Sequence, residues 1–386
     1  MKEKFVSAFV LLSTVLIGCD GGGQSQKDAC ITVDVTADYP EKELYIQDIA
    51  DVEYVPLETT DTFITHGMVK GVSKSLIVTT NWGGSGDIFL FDRSTGKGIR
   101  KINHKGQSGQ EYVSATEVLP DEERNELFVM DYSARKILVY DLEGHFKRTF
   151  KTLDSTYYTE VLNYDKAHLL CYKQPAEGDN ERASHILISK EDGSLVKEIS
   201  IPFRKLATPV FTQGELSITP IYYLTVPAQA DYILTKTSAD TIYRYTSDGV
   251  LAPFIARTPS IHEMETQVFL YPTWVTDRYI FMRTQKKEVD LKTFKGFPST
   301  DLVYDKQDRS ISQSRLGFRD FEDKWFDLSS QPLNPEVPFC QSLAADELVE
   351  ANKEGKLQGK LKEIVDKMDE DDNPVIVIIR CKSPRP

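Results

Sequence analysis

A hairpin-like stretch that recurs about every fifty residues, a chain rich in tyrosine and phenylalanine, and an apolar run near the C-terminus predict an all-β fold. The expected architecture is a six-bladed β-propeller of four-stranded antiparallel blades, with a C-terminal helical insertion in the last blade. The clearest copy of the hairpin is residues 137–150, ILVYDLEGHFKRTF. An apolar run ends in Tyr140-Asp141, a turn is centred on Glu143-Gly144, and a second strand-like run follows. Gly144 can take the positive φ of a tight hairpin, and Asp141 can hydrogen-bond back into the turn. Further copies are 89–102 (FLFDRSTGKGIRKI), 185–199 (HILISKEDGSLVKEI) and 241–255 (TIYRYTSDGVLAPFI). A weaker one, 301–316 (DLVYDKQDRSISQSRL), carries Arg309 where the others have glycine. Each copy reads as the outer hairpin of one blade. A single blade cannot bury both faces, so neighbours stack around an axis.

Taken in order, residues 1–18 form a targeting segment. Lys2 and Lys4 precede an apolar stretch, 5–17, that is short for a transmembrane helix and fits a secretory signal. It ends in Leu16-Ile17-Gly18-Cys19, which looks like a bacterial lipobox with Cys19 as the lipidated residue; the alternative is a plain signal peptide with an incidental cysteine. Residues 19–30 then read as a lipidated, glycine-rich tether, leading to a propeller over 31–386. The implied location is the cell envelope, lipid-anchored to a membrane through Cys19, at the periplasmic face or the outer-membrane surface.

Residues 31–49 are expected to form an extended arm with a strand. Five blades follow from the strand-like segments ahead of each hairpin, the fourth after a longer lead-in containing Tyr222-Tyr223-Leu224. The sixth is assembled from both chain ends. Residues 338–343 supply an inner strand, and 374–381 (PVIVIIRC) a strand buried on both faces. The strand at Val52 closes the ring beside it. Leu357, Leu361, Ile364, Val365 and Met368 fall on one helical face, which places the insertion at about 344–370, with Gly355 interrupting an earlier helix. Cys30, Cys171, Cys340 and Cys381 form no CxxC; Cys340 and Cys381 could pair, or all could be free thiols.

The net charge of −13 argues against nucleic acid as a partner. No HExxH, GxSxG, P-loop or GxGxxG motif occurs, so no catalytic residue, metal or cofactor is assigned. The acidic run 369–372 reads as a solvated turn, and His66 and His104 have no predictable third ligand. Propellers commonly bind ligands on the rim where the outer strand of one blade leads into the inner strand of the next. Loops near 104–112, 153–158, 202–212, 258–266 and 318–325 lie there, joined by 82–87. Candidate ligand-binding residues are Trp82, Tyr112 and Trp325, which could stack on sugar rings, His104, and Arg204 and Arg319, which could hold a carboxylate. Packing between blades competes with this role for each aromatic. Glycines around Trp82 favour its exposure.

Residues 52–60 (VEYVPLETT), 105–112 (KGQSGQEY), 131–144 (DYSARKILVYDLEG) and the tail 344–379 together resemble the Bacteroidota-type six-bladed β-propeller lipoproteins, and 131–137 is similar to the NHL repeat. In 105–112, Ser108, Gly109 and Gln110 replace the Gly, Pro and Gly of the usual GxGPGEY. The resemblance implies an envelope-tethered propeller in glycan or nutrient handling and supplies no catalytic residues. The expected function is a non-catalytic binding or scaffold lipoprotein with a glycan or envelope-protein partner. The alternatives are a carbohydrate-active lyase or hydrolase with its site at the channel, and an assembly component of an envelope complex.

Overall fold

The computed structural model describes residues 30–174, 183–293 and 295–382. The signal segment and Cys19 lie outside them. Six blades surround one axis. Blade 1 comprises Met68–Val72, Leu76–Thr80, Ile88–Asp92 and Gly98–Ile102. Blade 2 comprises Ala115–Asp121, Glu126–Asp131, Lys136–Tyr140 and Phe146–Lys151, and blade 3 Tyr157–Asn163, His168–Gln174, Ser184–Ser189 and Leu195–Ile199. Blade 4 is built from Thr225–Ala228, Asp231–Leu234, Thr241–Tyr245 and Leu251–Thr258, and blade 5 from Val268–Val275, Tyr279–Lys286, Ser299–Asp305 and Ser310–Gly317. The second strands of blades 1 and 2 are buried along their whole length, because blades cover both faces. Outer strands such as Gly98–Ile102 alternate between part-buried and exposed, as the solvated edge requires.

The hairpin turns form as the sequence indicates. Gly144 sits at φ 92°. Asp141 Oδ1 accepts the N–H groups of Glu143 and His145 at 3.0 and 2.8 Å. The same left-handed conformation recurs at Gly96, Gly193 and Gly249, and at Arg309, which adopts φ 53° without being glycine. The glycine hairpins of blades 1–4 each carry a register shift in the pairing of their two outer strands; none separates the paired residues of the blade 5 hairpin.

The arm holds two strands rather than one. Ile31–Asp34 pairs in parallel with the outer strand of blade 4, and Glu41–Tyr45 with that of blade 5, so each of these sheets has five strands. Both additions cover backbone edges that would otherwise stay open.

Blade 6 departs from the expected four strands: Phe339–Leu343, Val375–Cys381 and Ala50–Pro56 form a three-stranded sheet. The strand at Val52 does close the ring, with Ile379 opposite Val52. Phe339–Leu343, expected as a regular inner strand, runs opposite to the inner strand of blade 1. Just ahead of it, Asn334 Nδ2 donates to the carbonyl of Val72, at the end of that strand, at 2.8 Å. Near its own end, Ser342 packs against Gly67, which precedes the blade 1 strand. It therefore occupies a second-strand place, and the innermost place falls to irregular residues 327–338. These enter the channel, where Gln331 Nε2 donates to Glu117 Oε2 at 2.6 Å.

That shift puts the helical insertion on the rim of the loops joining second to third strands. Helices Ala345–Lys353 and Gly359–Val365 flank Gly355, which turns the chain at φ 77°. Leu357, Leu361 and Val365 are buried in one cluster with Phe318, Phe321 and Phe326 of the connection from blade 5. All four described cysteines are free thiols. Cys340 pairs across the ladder with Ile378, three residues before Cys381, so the two side chains lie on opposite faces of the sheet and cannot bridge.

Candidate functional site

The inner strands of blades 2 and 3 share the tetrapeptide Thr-Glu-Val-Leu, at 116–119 and 159–162. In each, a bulge skips the threonine, between Ala115 and Glu117 and between Tyr158 and Glu160. Bulges re-aim the side chains beside them. Glu117 and Glu160 thus hold equivalent places on neighbouring inner strands.

Their surroundings differ because of residues 200–224, which connect blade 3 to blade 4. This connection throws out a small hairpin, Phe211–Gln213 with Leu216–Ile218, and returns through Thr219-Pro220-Ile221-Tyr222-Tyr223. The detour leaves a cavity of about 410 Å³ between blades 3 and 4, on the rim that carries the blade-to-blade connections. Tyr132, Tyr172, Tyr222 and Tyr223 line it together with Glu160, Gln174, Lys236, Thr237 and Ser238. Neighbouring rings fix several of these walls. Tyr132 stacks on Tyr157 at 4.6 Å, Tyr222 on Tyr271 at 5.2 Å, and Tyr172 meets His185 edge-on at 4.9 Å.

Glu160 is 6% exposed. Leu224 N–H donates to its Oε1 at 2.6 Å. Its Oε2 is fully buried, with Thr225 as the neighbouring donor through its hydroxyl and N–H. Burial pushes the carboxyl up to about 7, and the nearby Glu117 charge adds to this, against the pull of Leu224 and Thr225. Glu117 is also raised by burial, with Lys70 and Gln331 opposing. The Tyr223 hydroxyl is raised by burial and by Glu117, Glu160 and Asp327, so three carboxyls surround it. Burial pushes Tyr222 up to about 12. It lowers His185 to about 3, leaving a neutral ring whose Nε2 faces the Leu224 carbonyl at 3.3 Å. Lys236 Nζ donates to the Ala183 carbonyl and lies 4.8 Å from the Phe203 ring centre.

Ile221, Tyr222 and Tyr223 also form the wall of a second void, about 20 Å³, at the channel mouth. Its other side is built from Tyr271, Thr273, Arg283 and residues 328–330. Arg283 is committed to Asp301 at 2.7 Å and Asp327 at 3.3 Å. Chemically, the cavity offers aromatic side chains and, behind them, a buried carboxyl raised to about 7.

None of the six residues singled out from sequence lines this cavity. Trp82 is 67% exposed on the loop above blade 1, as its glycines indicated. Tyr112, expected as a stacking platform, is fully buried; its hydroxyl donates to Gly86 O at 2.6 Å and accepts the His104 N–H at 3.1 Å. His104 donates from Nε2 to Gly144 O at 2.8 Å and stacks on Tyr140 at 4.9 Å. Arg319 pairs with Asp48 and lies over Tyr45 at 4.4 Å, which fastens the arm rather than offering a free guanidinium. Trp325 is 40% exposed beneath Arg315. Arg204 is exposed at the start of the connection that walls the cavity, outside its lining. The missed signals are the repeated Thr-Glu-Val-Leu, which puts a carboxylate into an otherwise apolar inner strand, and the extra length of the lead-in to blade 4.

A protein from Bacteroides fragilis described as exported superposes with a TM-score of 0.55 at 13% identity, over 89% of this chain and 99% of that one. A DUF4221-family member from Bacteroides vulgatus gives 0.47 at 12% identity, over 87% and 98%. At such identities the first likeness shows the fold, and the second adds no argument. No curated protein matches. A family model does match, over residues 30–380, which span every blade: the chain belongs to the family described as Domain of unknown function (DUF4934).

Proposed function

We propose that the protein is an envelope lipoprotein that binds a glycan fragment, without turnover, in the cavity between blades 3 and 4. The observation that carries this reading is the group of four tyrosines that line the cavity beside the buried Glu160 carboxyl. Tyrosine faces stack on the C–H faces of sugars. The targeting segment ending in Cys19 supports export and anchoring. Ile31–Asp34 runs toward the cavity rim alongside the outer strand of blade 4. Ile31 therefore lies at the opposite, turn-bearing end, and on this reading the cavity faces away from the membrane.

The test is a binding screen against oligosaccharides with product analysis of every hit. Binding without new reducing ends or unsaturated products, weakened by Tyr222→Ala, supports the reading; the absence of any glycan hit overturns it. One observation favours a second reading, an acid–base carbohydrate-active enzyme: Glu117 and Glu160 sit side by side in the ring and both are raised by burial. Product formation that Glu160→Gln abolishes would establish it. Anchoring is tested separately: Cys19→Ala moves the protein from the membrane fraction to the soluble fraction if Cys19 carries the lipid.

A further inference from the structure

We propose that the ligand of this cavity is an N-acetylated sugar, whose acetamido carbonyl accepts a tyrosine hydroxyl and whose methyl group lies against the apolar wall built by the connection between blades 3 and 4. The proposal rests on the glycan reading above and narrows it to amido sugars.

Tyrosines that pack within and between blades commit their hydroxyls inside the protein. Tyr140 donates to the Gln110 carbonyl at 2.7 Å, Tyr232 to that of Asn163 at 2.7 Å, and Tyr54 to Asp320 Oδ1 at 2.6 Å. In the cavity this changes. The hydroxyls of Tyr172, Tyr222 and Tyr223 have no hydrogen-bond partner among the described residues, and none of the three is sealed in protein. Burial pushes Tyr222 up to about 12 and raises the other two as well, so all three stay protonated donors. Side-chain acceptors are scarce by contrast. The Glu160 carboxyl is closed off, held by the Leu224 N–H with Thr225 beside it. Thr237 and Ser238 both donate to the Ala207 carbonyl, at 2.8 and 3.1 Å, and Gln174 and Lys236 are engaged within the protein.

The facing wall is of another kind. Leu206, Pro209, Val210, Pro220 and Ile221 all come from the connection between blades 3 and 4. Ile221 is 70% exposed and is the most exposed large hydrophobic side chain among the described residues. Apolar surface of this sort gains free energy when a ligand covers it. A sugar that carries only hydroxyls fits such a site poorly. Each hydroxyl brings a donor that wants an acceptor, and the sugar has no methyl to set against the apolar wall. An acetamido group answers both walls. Its carbonyl is an acceptor for a phenol, its methyl packs on the connection, and the sugar ring still offers its C–H face to the tyrosines. No net charge is required of the ligand, which agrees with a lining whose two charged residues, Glu160 and Lys236, are closed off or engaged.

Matched probes test this on the full chain in detergent, read by saturation-transfer NMR: N-acetylglucosamine against glucose and glucosamine, and the same three forms of galactose and mannose. The expected result is that in at least one series the N-acetyl sugar binds at least about tenfold tighter than both the parent sugar and the free amine. That advantage falls to about twofold or less when Tyr222→Phe and Tyr223→Phe are combined, a change that removes two hydroxyls and keeps both rings. Circular dichroism checks that the double variant is folded; if it is not, the matched series on the unaltered protein decides alone. Equal binding of parent and N-acetyl sugars overturns the acetamido assignment and leaves the glycan reading standing. A free amine that binds as tightly as its N-acetyl form shows that the acetyl group is not read, and overturns it too. An N-acetyl preference that survives in the folded double variant overturns the role of the two hydroxyls. If no N-acetyl sugar binds, this proposal falls, and the oligosaccharide screen decides the glycan reading separately.

Discussion

The connection from blade 1 to blade 2 and the one from blade 3 to blade 4 occupy equivalent places in the ring. Both carry tyrosines, yet they spend them differently. In the first, residues 103–114, the chain turns tightly on itself. Gly106 N–H donates to the Tyr112 carbonyl at 3.0 Å, and Glu111 accepts the Ser108 N–H at 2.9 Å. Tyr112 is drawn inward between blades, edge-on to Tyr140 at 6.3 Å. In the second, residues 200–224, extra length lets the chain leave the surface as a hairpin and come back along the rim. Tyr222 and Tyr223 end as walls, with Ile221 70% exposed beside them. An aromatic in a short connection becomes the seal between blades, and one in a long connection stays available to a ligand.

The largest effect is expected from truncating one tyrosine in each connection. Tyr112→Ala removes a buried ring and strands its two backbone partners, so unfolding in denaturant should show a loss of about 3 to 5 kcal/mol. Tyr222→Ala removes a half-buried ring that faces a cavity, and should cost only about 1 to 2 kcal/mol while weakening glycan binding. Comparable losses of stability would mean that the rim connection is as much core as the tight one.

How far these differences could be read from the sequence follows from the range over which each is set. Turn chemistry is local, so Asp141 and Gly144 announced their hairpin, and Gly355 the break in the insertion. Ring closure at Val52 followed from needing a partner for the apolar strand at 374–381. The missing inner strand of blade 6 was hidden because Phe339–Leu343 has the composition of any buried strand; its direction is set by distant partners, Asn334 on Val72 and Ser342 on Gly67. The second arm strand, Glu41–Tyr45, reads as polar and finds its place through the edge of blade 5. Tyr112 and Tyr222 look alike in sequence, since loop length rather than residue type decides which way each ring turns. The cavity itself needed the repeated Thr-Glu-Val-Leu to be combined with that length.

A smaller effect separates the two equivalent carboxyls. Glu160 is raised to about 7, so the folded protein holds a proton that the unfolded chain has released. Its contribution to stability is therefore fully present below the unfolded value of about 4.3 and falls as pH climbs through about 7. Relative to the unaltered protein, Glu160→Gln should gain up to about 3 kcal/mol above neutrality and nothing at about pH 4. Denaturation midpoints of both proteins across this range check the sign. Glu117→Gln loses the Gln331 contact as a carboxylate acceptor, so its gain should be smaller. Equal gains would show that neighbouring places in the ring, rather than the length of the nearby connection, set the environment.

The smallest effect belongs to Trp82, which extends the comparison to a third rim segment. Its ring is 67% exposed, and a side chain added at Gly83 or Gly84 would touch nothing within 4 Å, so the loop around it offers no packing surface. Exposed side chains without such contacts contribute little, and Trp82→Ala should stay within about 0.5 kcal/mol of the unaltered protein. It stands over blade 1, away from the lining between blades 3 and 4, so binding of short glycan probes should also be unchanged. A longer oligosaccharide provides the sharper version of the test. If its affinity alone falls in Trp82→Ala, the rim holds two aromatic platforms and the ligand reaches across the channel mouth from one to the other. If neither probe notices the change, binding is confined to the long connection, and loop length by itself accounts for where this propeller opens to a ligand.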